Sequence, residues 1–312
     1  MTHFADDLVG RCRRLGHPLC AGLDPHLDRI PELFRRGSMS PADPETAPAV
    51  EAFLTAVVDR LASKVPVIKP QAAFFELLGP AGMGVLARIV ARARQADLPV
   101  LLDAKRGDIG STATAYARAY LGPEATLRCD AITLNPYLGL DTLEPFLGPC
   151  EAHGSGVFVL VKTSNPGSGH LQDLRLQGPS GEPGLAVREA LADALSARAE
   201  ALRGPDTGWS SLGVVVGATY PGEAEALRQR LPHNLFLVPG YGAQGGSAVD
   251  AVRGFVAGPR GLEGGVVNSS RGILFPKDAH RADTQRWEQV FDDTLERAID
   301  ELTRAVSSSE SP

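Results

Sequence analysis

Short runs of consecutive apolar residues recur along the chain, each closing on polar or glycine-rich positions. Eight stand out: Leu19 to Asp24, Val65 to Gln71, Val100 to Lys105, Ala131 to Asn135, Val157 to Thr163, Leu212 to Gly217, Leu235 to Pro239 and Gly265 to Asn268. Each has the length of a strand, and several carry Val, Ile and Leu on successive positions. That is the pattern of strands covered on both faces, as in a parallel sheet. Between the runs lie stretches with helical patterning, among them Pro48 to Ser63, Gly84 to Gln95, Thr112 to Tyr120, Pro183 to Leu202, Glu223 to Leu231 and Gln285 to Val306. Eight strands alternating with helices predict an α/β protein of the (β/α)8 TIM-barrel class. A doubly wound sheet competes, but it would place a glycine fingerprint after the first strand. This chain has Leu23-Asp24-Pro25-His26 there.

Three segments lie outside the minimal alternation. Phe4 to Leu15 reads as an extra N-terminal helix, and Ser164 to about Trp209 is a long connection after the fifth strand. The connection opens on Ser164-Asn165-Pro166-Gly167-Ser168-Gly169, a loop composition, and long loops of this kind are often lids. The final residues, 307–312, read as a frayed tail, and the 312 residues as one barrel domain with its core over about 17–306.

Composition changes this picture little. A net charge of −6 disfavours a nucleic-acid binder, which would show a basic face, but leaves room for a local cationic site for a small anion. Cys12, Cys20, Cys129 and Cys150 form no Cys-x-x-Cys pair, so free thiols are expected. The first residues carry acids where a signal peptide carries bases, and no run approaches the ~18 apolar residues of a membrane span. A cytoplasmic protein with no membrane contact is the expectation. The seven histidines show no metal-ligand spacing and no triad context.

Barrel active sites are built at the C-terminal ends of the strands. Those ends carry Asp24, Lys69, Asp103 with Lys105, Asn135, Lys162 to Ser164, and Asn268 to Arg271. Residues two apart in a strand face the same way. Asp103 and Lys105 therefore share a direction, with Leu101 below them. If they face the interior, they form a partly dry ion pair that survives burial because it is paired. Lys69 on the neighbouring strand adds a cation and Asp108, just past the strand, an anion. Taken alone the Asp-x-Lys-x-x-Asp spacing is equally consistent with a structural ion-pair cluster. At the last two strands, Pro239 to Gly246 is glycine-rich, and Asn268-Ser269-Ser270-Arg271-Gly272 follows the eighth. Glycines let backbone N–H groups approach an anion and Arg supplies a fork of donors, so these loops, with Gly245 and Arg271, predict a phosphate site, the alternative being a pair of tight turns and a surface Arg. Lys162 could be functional or could pair with a nearby acid; Trp209 and Trp287 read as packing residues.

Four of these segments resemble the orotidine 5′-phosphate decarboxylase family. They are Lys69-Pro70-Gln71-Ala72-Ala73-Phe74-Phe75-Glu76, the run from Asp103 to Thr112, Lys162-Thr163-Ser164-Asn165-Pro166-Gly167, and Pro239 to Gly246. The chain length and the form of the first motif are similar to the type 2 bacterial branch. The resemblance implies a homodimer with shared active sites that converts orotidine 5′-phosphate to UMP and CO2 with no metal and no organic cofactor. It implies a catalytic tetrad of Lys69, Asp103, Lys105 and Asp108, with Lys105 protonating the C6 carbanion. Asp108, Ile109 and Thr112 would reach the partner's site. Asp24 and Lys69 would meet the ribose, Ser164 the pyrimidine, Gln244 both base and phosphate, and Arg271 the phosphate. Two other readings share the scaffold. A sugar-phosphate decarboxylase or aldolase relative would carry a Glu near the end of the second strand for a Mg2+-dependent reaction, where this chain has Lys69. A catalytically silent phosphate-binding barrel would lack part of the tetrad.

Overall fold

The computed structural model describes residues 3–178, 181–242 and 245–307. Eight parallel strands form its centre: β1 (Leu19–Leu23), β2 (Val67–Pro70), β3 (Leu101–Arg106), β4 (Ala131–Leu134), β5 (Gly156–Lys162), β6 (Ser210–Val216), β7 (Asn234–Val238) and β8 (Gly265–Ser269). They pair in the order β2-β1-β8-β7-β6-β5-β4-β3. Parallel bridges Ile68–Val100 and Gln71–Asp103 bring β2 back to β3, so the sheet closes on itself. The eight apolar runs fall on these strands to within a few residues at each end. The fold is the expected TIM barrel.

Strand alternation sorts the barrel's side chains into two sets. One set, including Leu19, Ile68, Leu102, Ile132, Val157 and Val214, faces the surrounding helices. Those helices are α2 (Thr46–Leu61), α3 (Gly79–Gln95), α4 (Gly110–Leu121), α5 (Glu144–His153), α6 (Val187–Ala199), α7 (Pro221–Arg230) and α8 (Thr284–Ser307), and α1 (Phe4–Leu15) precedes β1. The other set, Cys20, Val67, Leu101, Ala131, Phe158, Leu235 and Val266, fills the interior. Phe4, Leu8 and Val9 of α1 join that interior cluster, so α1 closes the N-terminal end of the barrel. The closure depends on glycine: a Cβ on Gly156 would lie 2.2 Å from the Phe4 ring. All four cysteines are unpaired.

Two segments depart from the sequence reading. Residues 183–186, expected to begin a helix, are extended and pair with Arg175–Gln177 as a hairpin in the long connection, and α6 begins only at Val187. The cause is local: Pro183 and Gly184 disfavour a helix interior. Helix α5, which holds Pro149, has an apolar pattern too weak to mark it in the sequence. Among the described residues, no helix is long and apolar enough to cross a membrane. Residues 308–312 of the expected tail lie outside the described residues.

Candidate active site

The upper interior tier, at the C-terminal strand ends, is polar where the lower tier is apolar. Lys69, Asp103, Thr133 and Asn268 line one cavity of about 820 Å³, which also reaches Asp24, Ser164 and Arg271. Asp103 is its electrostatic centre. Its Oδ2 accepts from Lys69 Nζ at 2.8 Å and from Gln71 Nε2 at 3.0 Å. Its Oδ1 accepts from Lys105 Nζ at 2.6 Å and from Thr133 Oγ1 at 2.9 Å. Burial alone would push the Asp103 carboxyl up, but the charges of Lys69 and Lys105, with their hydrogen bonds, hold it far below the usual carboxylate range. Burial likewise opposes the charge on Lys69, and Asp103 and Asp24 overcome it, raising that ammonium above its ordinary value.

The two lysines differ in exposure. The Lys69 side chain is 5% exposed and that of Lys105 is 45% exposed. Lys69 is therefore a fixed strut, whereas the ammonium of Lys105 is presented to whatever enters the cavity. Lys105 also has φ +47°, a conformation that costs a non-glycine residue about 1–3 kcal/mol. Asp103 and Lys105 face the same cavity, as the spacing predicts, but for a different reason. Lys105 sits on an irregularity of β3 rather than in a regular strand: Leu102 pairs with Ile132 and Arg106 with Leu134, leaving Asp103 to Lys105 opposite Thr133 alone.

The remaining predicted residues divide. Asp24 lines the cavity, and its Oδ1 is buried without a hydrogen-bond partner; Ser270 Oγ, also at the cavity, is in the same state. Such atoms are costly unless a ligand completes them. Ser164 lines the cavity, close against Gly217, where a Cβ would lie 2.9 Å from the Ser164 Cα. Arg271 lines it from the start of a short helix (Arg271–Leu274). Gly245 does not reach the cavity wall, although Pro239, Gly240 and Tyr241 of the same loop do. Positive φ values at Gly240 (+99°), Gly242 (+71°) and Gly245 (+92°) shape this loop and explain its glycines. Gln244 lies outside the described residues.

Asp108 does not join the array within its own chain. Its Oδ1 accepts from the N–H of Ile109 at 2.8 Å, and it is not part of the cavity wall. Ile109 is 62% exposed, and Thr112 is exposed on the first turn of α4. One chain thus assembles three members of the predicted tetrad.

Lys162, left open by the sequence, turns away from the cavity. The β5–β6 register shifts between Leu160 and Lys162. Leu160, Val161 and Thr163 border the cavity, while Lys162 is fully buried outside it. Its Nζ bonds both oxygens of Asp173, at 2.8 and 2.9 Å, and lies 4.2 Å from the centre of the Tyr220 ring. Asp173 also pairs with Arg188, a cavity residue at the start of α6. Gln172 grips Thr163 twice, accepting from its N–H and donating to its Oγ1. The long connection is therefore fastened to the end of β5 beside the cavity. Gln71 and Thr133, which touch Asp103, were missed by sequence reading. In a strand of mostly apolar residues a Thr is an ordinary β-former, and a Gln after Lys-Pro carries no charge signal.

A closed parallel barrel whose strand ends hold a Lys-Asp-Lys array centred on a buried carboxylate, beside loops of phosphate-binding composition, defines a barrel enzyme acting on a small anionic substrate. Residues 17–284 match the model of the orotidine 5′-phosphate decarboxylase / HUMPS family. A Rhodopirellula baltica protein named orotidine 5′-phosphate decarboxylase is 44% identical over 301 residues, spanning 93% of this chain and 95% of its own length. One of the same name from Clostridium tetani is 38% identical, spanning 97% of this chain and 99% of its own length. The Leishmania donovani OMP decarboxylase structure superimposes with a TM-score of 0.70 at 32% identity, covering 97% of this chain and all of that one (100%). The chain belongs to the orotidine 5′-phosphate decarboxylase / HUMPS family.

Proposed function

We propose that this protein decarboxylates orotidine 5′-phosphate to UMP and CO2 in pyrimidine biosynthesis. The observation that carries the reading is Asp103, buried at the cavity between two ammonium groups, one fixed and one presented. In the reaction the bond from C6 to the carboxylate breaks and its electron pair stays on C6, in the ring plane, where the π system cannot delocalise it. The ammonium of Lys105 stabilises that charge and then transfers a proton to C6, completing UMP as CO2 leaves. Asp103, beside the departing carboxylate, repels it and aims Lys105. Asp24 and Lys69 contact the ribose, and the unpartnered Asp24 Oδ1 and Ser270 Oγ gain partners from the substrate. Ser164 meets the pyrimidine. Arg271, with Gln244 of the glycine-rich loop, holds the phosphate, and that remote contact favours closure of the site over tight ground-state binding. The charge of Asp103 is met by Lys69 and Lys105, which suits a reaction without metal or organic cofactor. A sugar-phosphate reaction through a Mg2+ enediolate would need an acid where Lys69 stands.

The reading includes a homodimer. Asp108, Ile109 and Thr112 sit outside their own cavity, and the exposed Leu77, Ile109, Tyr137 and Leu138 give the loops after β2, β3 and β4 an apolar face. Pairing that face with a second copy would bring Asp108 to the partner's Lys-Asp-Lys array. We place the enzyme in the cytoplasm, as one barrel domain free of nucleic acid and membrane. The test is incubation with orotidine 5′-phosphate, with and without EDTA, following loss of orotate absorbance. Turnover unaffected by EDTA is expected, and its absence would remove the assignment. Mixed subunits of Lys105→Ala and Asp108→Ala should regain part of the activity through hybrid sites; no recovery after demonstrated subunit exchange would argue against the shared site.

A further inference from the structure

We propose that Thr133 is a positioning residue for the decarboxylation: its hydroxyl holds the irregular turn of β3 that aims Lys105 at Asp103 and into the cavity. The inference rests on the reaction proposed above. Four observations converge on one oxygen. Thr133 Oγ1 accepts from the N–H of Ala104 at 3.0 Å and from that of Lys105 at 2.9 Å. The same oxygen donates to Asp103 Oδ1 at 2.9 Å. The residue is 1% exposed, so no bulk water replaces these bonds. It stands opposite the three β3 residues that have no regular partner on β4, and the last of them is the left-handed Lys105.

A threonine hydroxyl has one proton and two lone pairs. Here both lone pairs are engaged by backbone N–H groups, so the proton has one place to go, the Asp103 carboxylate. The bonding pattern thus ties the backbone of Lys105 to the carboxylate that its own ammonium grips at 2.6 Å. It also serves as acceptor for backbone N–H groups that the irregular ladder leaves without one on β4. Without the hydroxyl, two part-buried donors lose their acceptor, and the left-handed turn at Lys105 loses the contacts that hold it. Valine has nearly the same shape and the same branched stiffness at χ1, but none of these bonds. Serine keeps the bonds and gives up the methyl group.

The experiment compares Thr133→Val, Thr133→Ser and Thr133→Cys with the parent, reading kcat, KM and melting temperature for each. A catalytic group displaced by about 1 Å loses roughly 100-fold in rate, which sets the expected fall in kcat for Thr133→Val. KM should move less than about threefold, because the phosphate end is untouched. Thr133→Ser should recover kcat to within about fivefold of the parent, whatever its melting temperature. If Thr133→Val does not fold, Thr133→Cys carries the test: its thiol is a weak acceptor of similar size, and at least about a tenfold loss of kcat is expected in folded protein. Parent-like kcat in folded Thr133→Val, or in Thr133→Cys where that serves as the test, would overturn the role. So would losses that simply track melting temperature across the variants. An inactive parent would overturn the reaction and this role together; an active parent with unaffected variants would overturn this role alone.

Discussion

Two of the lysine–aspartate pairs at the rim of this barrel face opposite ways. Lys105 and Asp103 belong to β3 and open onto the cavity, with the Lys105 side chain 45% exposed. Lys162 of β5 is fully enclosed behind the strand and reaches Asp173, whose side chain is 40% exposed, in the long connection. Both lysines end an apolar run, and both carboxylates are depressed by their partners: Asp103 by two ammoniums against the pull of burial, Asp173 first by its bond to Lys162. What separates them is strand register. An irregularity in β3 leaves Lys105 aimed into the cavity, and a shift in β5 turns Lys162 out of it. A charged strand end in a barrel is thus a site residue or a fastening according to one local step of the backbone.

Exchanging the lysines tests this distinction most sharply. Lys105→Ala should lower turnover of orotidine 5′-phosphate by about 10⁴-fold while phosphate-ligand binding is kept. Lys162→Met, which keeps the bulk and drops the charge, should cost less than about tenfold in turnover. Comparable losses in steady-state assays of the two variants would erase the difference.

The next effect is on stability. Asp173→Asn strands the buried Lys162 charge and should cost about 3 kcal/mol in urea unfolding, since an unpaired buried ion is among the costlier defects. Removing both charges, as Lys162→Met with Asp173→Asn, should return most of that loss, because a neutral, well-filled site replaces the pair. A double variant no more stable than Asp173→Asn would show that the pair does more than neutralise itself.

The smallest effect is on pH dependence. The Asp103 carboxyl is depressed in the folded protein, so its contribution is present above the unfolded value of about 3.9 and lost as pH falls toward the folded value. Lys69 is raised, so its contribution is present below about 10.4 and lost as pH rises through the folded value. The stability gap between the parent and Asp103→Asn should therefore be widest from about pH 5 to 9 and narrow on both sides. The corresponding gap for Asp173→Asn should also narrow below about pH 4, but less steeply, because Asp173 is partly solvated. A gap for Asp103→Asn that stayed constant down to about pH 2 would contradict the coupling.

Much of this architecture was legible in the sequence, for physical reasons. Strands buried on both faces leave unbroken apolar runs, so all eight barrel strands could be read. The charges of Lys69, Asp103 and Lys105 are conspicuous at the ends of such runs. Register shifts leave no such trace: nothing in Leu160-Val161-Lys162 announces that the lysine faces outward, and nothing in Asp103-Ala104-Lys105 announces a left-handed residue. Thr133 stayed hidden because its hydroxyl acts on backbone groups three-dimensionally close but about 30 residues away. Asp108 was named from resemblance, yet a single chain leaves it outside the cavity.

The stopper that Phe4 and Leu8 make beneath Gly156 has a consequence for traffic. The described barrel has no back door: the floor is sealed by the chain's own first helix, and the tier above it is solid hydrocarbon. With that end packed, substrate entry, nucleotide departure and escape of the gas fall to the strand-end cavity, beside the segment that Lys162 fastens.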